Sequence, residues 1–216
     1  MKRRRIMTLK KICFVLTVIL FLSFSYSFGG ILTGTLSPAS TCGYGVGYLG
    51  GYAGLGDDAT TLFGMLSYGF SDYTEGRFKL GFSDPDEGNA DPQLLIGADF
   101  KYQVMDYNSK SAKQPFDMAI AGFFEYVDYD GDSYLQLGGN IIGSIPYRFS
   151  SGQRLIPYAA LNLRLDRVSN HYSHSDFEGG VNLGAKYELT QEMNIYGELQ
   201  IDDNTAFFTG LEFRIF

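Results

Sequence analysis

The sequence predicts an all-β fold, and three observations carry that expectation. Residues 93–105, QLLIGADFKYQVM, put Leu94, Ile96, Ala98, Phe100, Tyr102 and Val104 on one face and Gly97, Asp99, Lys101 and Gln103 on the other, the two-residue period of a strand. The chain of 216 residues holds 27 Gly, 16 Tyr and 18 Phe, a composition of strand-favouring aromatics punctuated by glycines. No amphipathic helical pattern and no internal repeat interrupts the series of alternating segments. The polar face of 93–105 carries two full charges in mid-strand, and its length suits the ~9 to 11 residues of a tilted membrane-crossing strand. Its apolar face is therefore expected to look at lipid. The mean hydropathy of −0.06 fits, because an alternating barrel averages its polar and apolar faces.

The chain opens on a targeting pattern. Lys2, Arg3, Arg4, Arg5, Lys10 and Lys11 precede the apolar run 12–24, and Ser25, Tyr26 and Ser27 follow, the layout of a secretory signal peptide. Residues 1–27 are expected to be removed, with cleavage after Ser27. The run is short of the ~20 residues of a spanning helix, which argues against an anchor. Those residues hold six basic and no acidic groups, so the remainder has 11 Lys+Arg against 24 Asp+Glu and a net charge of −13. Such a balance makes nucleic acid a poor partner. One of the two cysteines, Cys13, lies inside the signal, so Cys42 has no internal disulfide partner; it is expected to be a small strand-start residue. Residues 28–41 read as a short segment outside the barrel, on the side of the chain termini, and 42–216 as one domain.

Ten strands follow. In 42–53, Tyr44, Val46, Tyr48 and Tyr52 alternate with Gly43, Gly45, Gly47 and Gly51, which predicts an aromatic outer face and a bare inner one. In 61–70, Leu62, Leu66, Tyr68 and Phe70 share a face, and in 75–82 Phe78, Leu80 and Phe82 oppose Arg77 and Lys79. After 93–105 comes 116–127, with Met118, Ile120, Phe124 and Tyr126 against Asp117, Ala119, Ala121 and Glu125. Asp130-Gly131 is a hairpin turn signal. Segments 134–149 and 154–168 are long and two-faced, the first with Leu137 and Ile141 against Gln136 and Asn140, the second with Leu161, Leu163 and Leu165 against Asn162, Arg164 and Asp166. The last three, 177–189, 194–201 and 205–216, are joined by short polar turns.

A signal peptide, an even number of two-faced strands, tyrosines near strand ends and a C-terminal Phe216 together resemble the small outer-membrane β-barrels of diderm bacteria, of the outer membrane protein A and porin type. The resemblance implies a transmembrane antiparallel up-and-down β-barrel of about ten strands, with eight or twelve as alternatives, in the bacterial outer membrane. It implies lipid as the partner, one chain per barrel and no cofactor. The C-terminus departs from the family pattern: Glu212 and Arg214 stand where alternate apolar residues are usual, and Phe207, Leu211, Phe213 and Ile215 form the apolar face. Either Phe216 lies one residue past the register or the terminus bulges. A soluble barrel of the lipocalin kind also alternates, with its apolar face inward; strand count, strand length and Phe216 favour the membrane.

Chemistry-bearing residues gather in the loops away from the termini: Asp57 and Asp58, then Asp84, Asp86, Glu87 and Asp91, then Asp128, Asp130 and Asp132, then Asp202 and Asp203. Clustered carboxylates are candidate ligands for divalent cations. However, Asp128 to Asp132 is already a good turn, and the position of a calcium loop's bidentate Glu is Gly139, so solvated turns are the expectation. Omptin-type proteases also resemble ten-stranded barrels with an acidic pair and an Asp/His pair in outer loops. Here Asp84 and Asp86 would be the first pair and His171, His174 and Asp176 the second, in a reversed order. Ser173 and Ser175 beside the histidines give a lipid hydrolase no firmer basis. The expected function is non-enzymatic: a structural or surface-interaction role, with a narrow passive pore as the alternative. Inward charges of both signs predict a lumen closed by side chains, in which Arg77 pairs with Asp99 and Lys186 with Glu198, the glycines of the first strand leaving room.

Overall fold

The computed structural model describes residues 32–57, 59–85, 91–107, 114–129, 132–169, 174–202 and 205–216. The strands are β1 (Gly47–Gly56), β2 (Ala59–Gly69), β3 (Thr74–Pro85), β4 (Gln93–Met105), β5 (Asp117–Tyr129), β6 (Asp132–Ser144), β7 (Tyr147–Arg148), β8 (Arg154–Ser169), β9 (His174–Glu188), β10 (Met193–Ile201) and β11 (Ala206–Arg214). The two-residue β7 continues β6 beyond a break at 145–146 and pairs with the start of β8. Ten strands therefore make the wall. Each pairs antiparallel with its sequence neighbour, and β1 pairs with β11 from Tyr48↔Arg214 to Gly56↔Ala206, closing the sheet into a barrel. Closure leaves no edge with unpaired backbone groups. No described helix is long and apolar enough to cross a membrane.

Alternation places the apolar residues outside. Phe78, Leu80 and Phe82 are about half exposed, as are Leu94, Phe100, Leu161, Leu163, Leu211 and Phe213, while Arg77, Lys79, Asp99, Lys101, Glu125, Arg164 and Glu198 on the other face are buried. At the end that holds the C-terminus the outer face is ringed by aromatics: Tyr68 stands edge-on to Phe70, Phe70 faces Phe100, and Phe149 lies between Tyr147 and Tyr187. The tyrosines among them, apolar in the ring and polar at the hydroxyl, suit the boundary between lipid and water.

In β1 the structure reverses the predicted faces. Tyr52 points inward and is 2 % exposed, whereas Gly51 lies on the outer face with open space beside it. A segment made only of glycines and apolar residues has no charge to declare its inner side, so the fit decides. The Tyr52 ring covers Gly50 and Gly210, where any Cβ would collide with it, stacks on Phe63 at 5.4 Å and donates its hydroxyl to Glu212 Oε2 at 3.1 Å. At the C-terminus a bulge resolves the register. The N–H groups of Ile215 and Phe216 both point at the Gly47 carbonyl, at 2.9 and 3.4 Å, the two-against-one pattern of a β-bulge. The Phe216 ring lies over Gly47, which has no Cβ to obstruct it, and stands edge-on to Tyr68.

The largest departure concerns residues 32–41. Expected outside the barrel, they run through its interior: Thr33, Thr35, Leu36, Ser37 and Ala39 are each at most 2 % exposed. The segment has no strand period because it joins no sheet; the inner wall supplies its partners.

Candidate functional site in the barrel lumen

Three groups of inward side chains hold the lumen together. On β3, β4 and β5, Arg77 Nε lies 2.6 Å from Asp99 Oδ1, Lys79 Nζ lies 3.3 Å from Asp99 Oδ2 and 3.2 Å from Glu125 Oε1, and Lys101 Nζ lies 3.3 Å from Glu75 Oε1. Cross-strand register creates the first pair, since Arg77 sits directly opposite Asp99. Toward the end away from the termini, Arg164 on β8 contacts Asp166 and Asp202 at 3.0 Å each and also Glu178 on β9. Tyr134 donates to Asp166 at 2.9 Å. On the third side Glu212 accepts from Tyr52, Tyr196 and Asn194 and pairs with Lys186 at 3.3 Å. Charges in so dry a place are tolerable only when paired and hydrogen-bonded.

Residues 32–42 complete this network with backbone atoms. Glu198 accepts the N–H of Thr35 at 2.7 Å and of Leu36 at 2.6 Å, and also Tyr158 Oη and an Asn182 amide N–H. The chain can offer two successive N–H groups because Gly34 and Leu36 have φ of +63° and +42°, a left-handed turn of the kind that cups an anion. Arg77 Nη1 donates to Leu36 O, Lys101 Nζ to Ser37 Oγ, Pro38 O and Ser40 O, and Ser144 Oγ accepts the N–H of Ala39. Thr33 Oγ1 bridges Lys79 and Glu125. The Leu36 side chain enters an apolar cluster with Tyr52, Phe63, Met65, Tyr196 and Phe208. Beside the lower half of the segment remains a cavity of about 20 Å³, room for about one water.

Lys186 and Glu198 do not meet, contrary to the sequence reading. The β9–β10 hairpin closes Leu189 on Met193, whose carbonyl accepts both the Leu189 and Thr190 N–H groups, and this tighter turn puts Lys186 opposite Tyr196 and Glu198 opposite Gly184. Lys186 turns to Glu212 instead. Cys42 is also not at a strand start. It precedes β1, donates its N–H to Glu75 Oε2 at 2.8 Å and lies half-buried at the mouth of the lumen. Burial, and then the Glu75 carboxylate, push its thiol up to about 12 from an ordinary value of 9.0. Since the thiolate is the nucleophile, alkylation of Cys42 at pH 8 is expected to run at least ~100-fold slower in the folded barrel than in urea. Equal rates in a timed mass-spectrometric labelling would contradict this placement.

The loop candidates separate. Asp84 lies exposed on β3 with the outer-face residues Leu80 and Phe82, whereas Asp176 lies opposite Asp166 on β9. Asp86, Glu87, Asp58, Asp130, His171, Ser173 and Asp203 fall outside the described residues, and His174 opens β9. Asp57 Oδ2 accepts the Thr205 N–H, while Asp202 turns inward to Arg164. Among the described residues no three His, Cys, Asp or Glu converge on a metal-sized site. Sequence reasoning missed the segment 32–42, Arg164 as a shared cation and the tyrosine–carboxylate bonds. The one signal for the first was a charge-free run of small residues, TGTLSPAST, just before the barrel.

A closed barrel with charges inside and an apolar exterior has its stable surroundings in lipid. The fold is that of a small transmembrane β-barrel. No protein-family model and no curated protein matches the chain. Among solved structures it is similar to the N-terminal β-barrel domain of Pseudomonas aeruginosa OprF, at 10% identity and a TM-score of 0.38 over 80% of this chain and 99% of that one. It is similar to the β domain of the Bordetella autotransporter BrkA, at 11% identity and a TM-score of 0.46 over 79% and 99%. It is also similar to the KdgM porin, at 11% identity and a TM-score of 0.39 over 77% and 98%. At these identities the likeness stops at barrel architecture.

Proposed function

We propose that the protein is a monomeric barrel of the bacterial outer membrane, closed to solutes as it stands, whose role is structural or exercised by its outer rim. The observation that supports this reading is the occupation of the lumen by residues 32–42, held on several sides through their backbone. With both termini on the periplasmic side, the loops after β1, β3, β5, β8 and β10 face outward, and they carry the acidic residues from Asp57 to Asp202. By sequence that rim is negatively charged, which suits cations or basic partners. Membrane fractionation should recover the protein with the outer membrane, and the folded form should migrate differently from the boiled form on a denaturing gel. The deciding measurement is the conductance of the refolded full-length mature chain in a planar bilayer. No steady opening is expected. A stable nanosiemens-scale conductance would refute the closed lumen and favour a porin.

A further inference from the structure

We propose that the wall of β1–β11 is by itself an open, cation-selective channel and that residues 32–42 are its stopper. The inference rests on the closed-barrel reading above and adds what the closure conceals.

The first support is space. Where Ala39 passes, the wall presents Ala119, Ala121 and Ala160 between Ile142 and Tyr158, and Ser144 accepts its N–H. A barrel filled by its own side chains needs large residues at such positions, because interiors pack without voids. These strands instead leave a hollow as wide as a polypeptide, which the segment fills. Tyr158, the longest wall side chain of that cluster, is held by its hydrogen bond to Glu198 Oε2 at 2.6 Å and so does not replace the segment.

The second support is hydration. Among the described residues Glu198 has no cation within ion-pair distance; two of its four donors are N–H groups of the segment. Lys101 gives three of its contacts to the segment and keeps only Glu75 on the wall. Once the segment is gone, these charges are stable only if water reaches them. A hydrated hollow crossing these levels conducts ions.

The third support is charge. Residues 32–42 carry none, so the wall alone sets the sign. Among the described residues it buries eight carboxylates against four cationic side chains, and a confined path lined by excess negative charge concentrates cations. Small monovalent cations are the expected cargo.

The test uses a chain that begins at Gly43, refolded in detergent and inserted in a planar bilayer under a KCl gradient, with gel mobility before and after boiling as the check of folding. The expected result is a steady opening absent from the full-length chain, with a reversal potential of the sign for cations, blocked when a synthetic peptide of residues 32–42 is added. A folded, shortened barrel that stays shut would overturn the proposal, since the Arg164 network would then close the lumen unaided. An anion-selective opening would overturn its charge argument. If the shortened chain does not refold, a protease site placed at the exposed Tyr44 frees the segment after folding, and the same readouts decide. A full-length chain that conducts before cutting refutes the closed-barrel reading instead, so the two failures are distinguishable.

Discussion

Replacing Arg164 with Ala is expected to lower the unfolding free energy by about 3–5 kcal/mol, the usual cost of removing one partner from a buried ionic network. Arg164 is fully buried on β8 and serves Asp166, Glu178 and Asp202 together, and it donates to Asn162 as well. Its loss leaves three carboxylates crowded on the inner wall with no replacement of that reach. Lysine is a poor substitute, because a single ammonium cannot spread over several carboxylates as the planar guanidinium does. Arg164→Lys should therefore recover only part of the loss. Urea-induced unfolding in lipid vesicles, followed by tyrosine fluorescence, measures both variants. A midpoint for Arg164→Ala within error of the parent would show that the network contributes nothing to stability.

The second large effect is expected at Glu198. Glu198→Ala removes the acceptor shared by the Thr35 and Leu36 N–H groups, Tyr158 Oη and Asn182. A hydrogen bond to a charged acceptor contributes about 1.5–3 kcal/mol, and buried donors left unmade add a desolvation cost. These terms do not sum simply, and water entering the gap offsets part of them, so the net loss is about 3 kcal/mol. The left-handed turn at Leu36 then loses what holds it, and residues 32–42 should detach more readily. Two readouts follow: the urea midpoint falls, and alkylation of Cys42 at the end of the segment quickens in the folded barrel. Glu198→Gln keeps one acceptor oxygen and should lie between Ala and the parent. An unchanged Cys42 rate together with an unchanged midpoint would show that Glu198 does not hold the segment.

The sequence by itself determined the wall. Wherever a strand carried charges on one face and large apolar residues on the other, as at Arg77 to Phe82 or Leu161 to Asp166, the two-residue period named the side that meets lipid, because a charge facing hydrocarbon is too costly to be ambiguous. It also fixed Arg77 opposite Asp99, the connecting hairpin being folded in the register the alternation implied. Where charge was missing, only the tertiary structure could decide. In β1 the face of Tyr52 depended on the hollow at Gly50 and Gly210 and on Glu212, a residue of the last strand. Lys186 met Glu212 rather than Glu198 because one turn closed tighter, and a shift of one step in a hairpin moves every cross-strand partner by two residues. Residues 32–41 show the limit most clearly: a short, uncharged, aperiodic run carries no instruction of its own, and its path is set by a carboxylate, lysines, alanines and a serine that belong to six strands.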